Sequence, residues 1–221
     1  KAEELFTKGL KFAPNDSFAI SKFALLTAQK GETDKAFEIL DSATKRKIID
    51  TNILNTFGSI FMQTGELTKA KNAFLESLKI NPDKAETLTL LGQVYNSLSH
   101  LNNAEEVLLK AIELNQWIDA PKIEFCATLV FLNKEEEAFN LLSNLHEKLP
   151  ENMDVFFSLA RIVCDLCEWD MRAEIEKKFI ENVKSIIKKG NNYPFRVFNF
   201  NYFDIPIDLQ LEASKQLARF F

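Results

Sequence analysis

The chain has 221 residues, 46% of them hydrophobic, and 27 basic against 32 acidic side chains for a net charge of −5. Composition of this kind is ordinary for a folded chain, and the mild acidity argues against a nucleic-acid binder, which would present a basic surface to phosphates. No run reaches the roughly 18 apolar residues that a membrane helix needs, and the densest, "IEFCATLVFL" from Ile123, falls short of it. Neither nucleic acid nor a membrane is an expected partner.

Along the chain, one pattern returns every 34 residues. Alanine stands at Ala2, Ala36, Ala70, Ala104 and Ala138, and four residues on stand Phe6, Leu40, Phe74, Leu108 and Leu142. A second series holds only small residues, Ala24, Gly58, Gly92, Cys126 and Ala160, each preceded by a large apolar one: Phe23, Phe57, Leu91, Phe125 and Leu159. Proline marks the end of several units at Pro14, Pro82 and Pro150, with Ile48 and Gln116 as exceptions. The frame divides the chain into a partial unit 1–16, units 17–50, 51–84, 85–118 and 119–152, and a last one from 153 to about 170.

Within a unit the residues have separate physical roles. Leu54, Phe57, Gly58 and Phe61 share one face at helical spacing, and Ala70, Phe74 and Ser77 do the same on a second helix. Small residues at Gly58 and Ala70 let the two helices approach, while Phe57 and Phe74 fill the space around the contact. Gly65 lies between the helices, where a left-handed backbone is cheap for glycine. Glu32, Glu66 and Glu135 stand near second-helix starts, where negative charge favours the helix dipole. Pro82 cannot continue a helix and restricts Asn81 before it. A fixed period of this length, on a helix-turn-helix unit, resembles the tetratricopeptide (TPR) repeat. The expected fold is all-α: a right-handed TPR superhelix, an α-solenoid of about five 34-residue repeats over 1–170, followed by a C-terminal non-TPR helical adaptor over 171–221.

Chemistry is hard to place on this chain. It contains no glycine-rich loop of the kind that cradles phosphates. Its two histidines, His100 and His146, lie far apart, without a nucleophile at a recognisable spacing. "KEEEAF" at 134–139 reads as a helix start rather than as paired carboxylates. Cys164 and Cys167 form a CxxC at helical spacing with no second CxxC and no nearby histidine, so no zinc site is expected. Three cysteines make no even disulfide framework, which points to reduced thiols and a cytoplasmic setting. No catalytic residue, cofactor or metal is expected, and the chain is not expected to be an enzyme by itself.

The expected functional surface is a groove lined by the first helices of successive units. Asn52, Asn55, Thr56, Ser59, Met62 and Gln63 face it from one unit, and Glu86, Thr89, Leu90, Gln93, Asn96 and Ser97 from the next. Ile123, Ala127, Val130 and Phe131 follow, then Asp154, Phe157, Arg161 and Asp165. Such a groove can hold an extended polypeptide, its amides on the ligand backbone and its apolar pockets on ligand side chains. The partner-binding residues singled out are Asn52, Asn55, Ser59, Gln63, Gln93, Asn96, Ser97 and Arg161. The Lys, Asn and Arg that clamp a chaperone tail at set inward positions are not matched: the corresponding sites hold Ser21, Leu25, Thr56, Glu86 and Leu90.

The period breaks at residue 172, where Arg172 stands in the alanine slot and Ala173 comes one place late. The sequence from Phe195 to Phe221 then carries six phenylalanines, too apolar for the polar outer face that a terminal repeat needs. Here "CDLCEWD" at 164–170, then Pro194 and Phe195, then Asp204, Pro206 and Gln210, resemble the junction in O-linked N-acetylglucosamine transferases and their SPINDLY-like bacterial relatives. The resemblance implies an acceptor-recognising region ahead of a glycosyltransferase domain, whose catalytic residues would lie beyond Phe221. It implies an adaptor interface at Trp169, Phe195, Phe198, Phe203, Phe220 and Phe221, covered by that following domain, or self-association through the tail without it. The asparagine ladder of the family's best-known members is missing, since its positions hold Lys22, Thr56, Leu90, Glu124 and Ser158. Because Ala2 already occupies a second-helix slot, the chain is expected to be a piece of a longer protein. The alternative is a free-standing TPR scaffold with no enzymatic parent.

Overall fold

The computed structural model describes residues 10, 12–166, 169–189 and 205–217. Among these residues there are eleven helices and no strand. In chain order they are α1 (Ser17–Gln29), α2 (Thr33–Lys45), α3 (Thr51–Gln63), α4 (Leu67–Ile80), α5 (Ala85–Ser97), α6 (Leu101–Leu114), α7 (Ala120–Phe131), α8 (Glu135–Lys148), α9 (Met153–Asp165), α10 (Trp169–Lys189) and α11 (Ile207–Leu217). Two compact units divide the chain, 1–128 and 129–221.

In the first unit the helices form pairs, α1 with α2, α3 with α4 and α5 with α6. Each first helix ends in the same way. Gly31, Gly65 and Ser99 adopt φ of 84°, 77° and 59°, and the backbone N–H of the next residue bonds the carbonyl five residues back: Glu32 to Thr27 at 3.2 Å, Glu66 to Phe61 at 2.8 Å and His100 to Tyr95 at 2.8 Å. This is the Schellman closure, in which a left-handed residue turns the chain and satisfies the last carbonyls of the helix. The second unit repeats it at Asn133, with φ of 55° and a bond from Lys134 N–H to the Leu129 carbonyl of 2.9 Å. Glycine is therefore the unstrained occupant of a slot that Ser99 and Asn133 also fill.

The other helix boundaries follow from local chemistry. Asp16, Asp50 and Asn152 cap α1, α3 and α9 by accepting two backbone N–H bonds each, as N-cap side chains do. The second helices α2 and α4 begin after Glu32 and Glu66, whose carboxylates pair one turn on with Lys35, at 2.6 Å, and with Lys69. Asn81 is extended in front of Pro82, and Leu149, with φ of −130° and ψ of 60°, leaves the helical region in front of Pro150. Where Ile48 replaces that proline, Lys47 takes φ of 62° and α2 ends in a Schellman turn of its own, Ile48 N–H bonding the Ala43 carbonyl at 3.0 Å.

Core packing uses the small and large series together. Ala24, Ala36, Leu40, Ala70, Phe74, Ala104 and Leu108 are all fully buried. A Cβ added to Gly58 would stand 2.5 Å from Phe74 Cε1, and one at Gly92 would stand 2.6 Å from Leu108 Cδ2. The glycines are thus the condition for close approach of α3 to α4 and of α5 to α6. Each buried Leu or Phe side chain contributes about 1.5–3 kcal/mol relative to exposure.

In the second unit α8 packs on α9 and α9 on α10. Phe156, Phe157 and Phe179 form one aromatic cluster, with Phe157 and Phe179 edge to face at 5.0 Å. The 21-residue α10 runs through Arg172, where the repeat pattern breaks, and turns Ile175, Phe179, Val183 and Ile186 inward. On α11, Ala213 is buried while Ile207 and Leu211 are exposed. Of the expected adaptor interface, Phe195, Phe198, Phe203, Phe220 and Phe221 lie outside the described residues, as does the side chain of Trp169.

Candidate functional site: the first-helix face

The first helices of the amino-terminal unit carry most of the residues expected to bind a partner, and the structure divides them into two sets. The first set is committed to neighbouring repeats. Asn55, 7% exposed, donates from Nδ2 to Thr87 Oγ1 at 2.8 Å, and the Thr87 hydroxyl lies 3.1 Å from Asn55 Oδ1. Gln93 Nε2 donates to Glu124 Oε1 at 2.7 Å, and Thr128 Oγ1 donates to Asn96 Oδ1 at 3.0 Å. Asn52 Nδ2 donates to Ser17 Oγ at 3.4 Å, and Ser17 in turn donates to the Asp50 carboxylate. Lys84 Nζ reaches back to Thr51 Oγ1 at 3.0 Å and to Asn52 Oδ1 at 3.4 Å.

Each of these bonds joins one first helix to the next across 31 to 35 residues of sequence. Together they form a polar seam that fixes how successive units stack. Asn55 is buried and is not available to a ligand, so its role is to hold α3 to α5. Lys84 occupies the slot that Asp16 and Asp50 use as caps, and makes no cap bond; its stem instead spans to the start of α3. Asn96 spends its carbonyl on Thr128 and keeps a buried Nδ2 with no hydrogen-bond partner, a donor whose burial costs about 1–3 kcal/mol while unmet.

The second set remains open. Gln63 and Ser97 are exposed and Ser59 is half-buried; Ser97 Oγ donates only within its own helix, to the Gln93 carbonyl at 2.9 Å. Glu86 is exposed too, but its carboxylate lies 3.8 Å from Nζ of the seam residue Lys84. Lys22 is exposed, its Nζ 5.3 Å from the Phe18 ring centroid. In the second unit Phe157 is buried in the aromatic cluster rather than on a groove, and Arg161 is half-buried with an Nε that no group accepts. Phe131 is 54% exposed. The seam partners Ser17, Asp50, Lys84, Thr87 and Thr128 were not singled out from the sequence, and Glu124 was noted there only as a ladder position without asparagine. The signal that would have found several of them is polar residues two or three places short of one period apart.

Cys126 is buried, which pushes its thiol up to about 12. Among the described residues no cluster of His, Cys, Asp and Glu could hold a metal ion, and no helix is long and apolar enough to cross a membrane.

Residues 51–84 and 85–116 match the family model of the tetratricopeptide repeat. These two units are TPR repeats. Solved structures with the same fold include a TPR protein from Parabacteroides merdae, with TM-score 0.67 and 16% identity over 98% of this chain and 91% of that one. PilF of Pseudomonas aeruginosa gives TM-score 0.70 and 14% identity, covering 100% and 90%. YrrB, described as a TPR protein with an unusual peptide-binding site, gives 0.59 and 20%, covering 96% and 99%. A search of curated proteins found no match. TPR units are protein–protein interaction modules, and that is the class of activity indicated for the two matched repeats.

Proposed function

We propose that the chain is a non-catalytic docking module that holds an extended polypeptide along the first-helix face of the amino-terminal unit, in a cytoplasmic setting. The observation that carries this reading is the second set of residues: Ser59, Gln63 and Ser97 are uncommitted to the seam and stand on the two matched repeats. Polar groups on a rigid helical scaffold satisfy a ligand backbone without ordering cost on the protein side. Affinity for a peptide selected from a random display library tests it. Gln63→Arg with Ser97→Arg puts long cations across the face and is expected to abolish binding while leaving the melting temperature in place. Unchanged affinity would move the site elsewhere.

A second reading makes the module the acceptor-recognising part of a protein glycosyltransferase. It rests on the sequence from about Cys164 to Phe221; in the described part, Pro206 immediately precedes α11 and Gln210 Nε2 donates to the Ile205 carbonyl at 2.8 Å. A natural full-length product that transfers sugar from a nucleotide donor supports it, while this chain alone should be inactive with every donor. A full-length product without a nucleotide-sugar domain contradicts it and leaves the scaffold reading.

A further inference from the structure

His146 sits on α8 with its ring centroid 5.7 Å from that of Phe156 on α9, tilted by 49°. Its Nδ1 is sealed from water and has no hydrogen-bond partner. The groups facing it supply no compensating anion. Within the unit, α9 presents the Phe156 ring, itself packed on Phe179 of α10. The helix α10 brings Lys178, whose own partner is Glu174 at 2.8 Å. On α8 the Ser143 hydroxyl, one turn back, is also buried without a partner, while Glu147 and Lys148 point to solvent. The end of α7 within this unit, Leu129, Val130 and Phe131, carries no titratable group.

We propose that His146 is an acid-sensitive latch: a proton on its imidazole loosens the packing of α8 on α9 and α10 and opens the carboxyl-terminal unit. The proton adds an N–H that has no acceptor and a positive charge close to Lys178, and both favour separation of the helices. Burial first, and the Lys178 charge second, hold the His146 imidazole below its ordinary pKa of 6.5. The sign follows: the unfolded unit binds this proton more readily than the folded one, so stability is full above 6.5 and is lost as pH falls below it.

Amide hydrogen exchange, corrected for intrinsic rates, at about pH 7.5 and about pH 5 reads the effect region by region. Protection is expected to be lost at the lower pH in α8, α9 and α10 and retained in α3 to α6. His146→Phe keeps the ring and removes the proton, so it should abolish that loss. Equal loss in the variant, or none in the parent chain, overturns the proposal. Should the variant fail to fold, NMR titration of the parent decides, since it has only two histidines. A His146 midpoint below 6.5 supports the latch, and one at or above that value overturns it.

Discussion

Replacing Gly58 by alanine tests the close approach of α3 and α4 directly. The new Cβ would stand 2.5, 2.6 and 2.9 Å from three atoms of the Phe74 ring. Phe74 is fully buried, so the ring cannot swing into solvent, and overpacking of this kind costs about 1–3 kcal/mol. Alanine's higher helix propensity returns about 1 kcal/mol. The net expectation is a loss of about 1 kcal/mol, where an unobstructed Gly→Ala change in a helix would give a gain of similar size. Phe74→Leu alone should cost roughly 1–2 kcal/mol by leaving a partial void. The double substitution recreates the Ala24 and Leu40 combination that the preceding repeat already buries completely. It should therefore be less damaging than the sum of its parts by about 1–2 kcal/mol. Urea unfolding followed by far-ultraviolet circular dichroism, on the four proteins of the cycle, measures this. A stabilising Gly58→Ala, or additivity within about 0.5 kcal/mol, would refute the packing argument.

Three other outcomes follow from the same geometry. Asn55→Ala should cost about 1–3 kcal/mol by orphaning the Thr87 hydroxyl, whereas Asn55→Leu with Thr87→Val should be close to neutral; calorimetric melting of both variants separates a seam residue from a ligand contact. Ser99→Gly and Lys47→Gly remove side chains from left-handed positions and should each stabilise by about 1 kcal/mol in chemical denaturation. Cys126, raised to about 12, should react with a thiol reagent only through opening of the fold, and stability should fall as pH rises above 9.0 because the unfolded thiol ionises first. Labelling of Cys126 at the rate of an exposed thiol would contradict this.

The fold was legible because its constraints are local and repeat. Gly58, Ala70, Phe74 and Pro82 each do one job at one place in the unit, so the period exposed helices, turns and core together. The Schellman turns show the limit of residue identity: Ser99 and Asn133 occupy the glycine slot, and Lys47 turns the chain at the end of α2 where Ile48 stands in the proline slot, because backbone geometry is maintained by hydrogen bonding rather than by one side chain. The candidate site was legible only in part. Facing positions can be counted from the period, and Ser59, Gln63 and Ser97 do stay uncommitted, while Glu86 pairs with Lys84 at 3.8 Å. Which amides are free cannot be counted that way, since Asn55 and Gln93 are spent on Thr87 and Glu124, partners that belong to the next repeat's first helix. Phe157 was misplaced for a related reason: past the break at Arg172, α10 supplies Phe179 to cover it.

The most direct test of the docking claim is photo-crosslinking of a display-selected peptide that carries a photoreactive residue, with the attachment sites read by mass spectrometry. Attachment to α3 and α5, centred on Ser59, Gln63 and Ser97, is the expected result. Attachment confined to α4 and α6, or spread evenly over the surface, would contradict it.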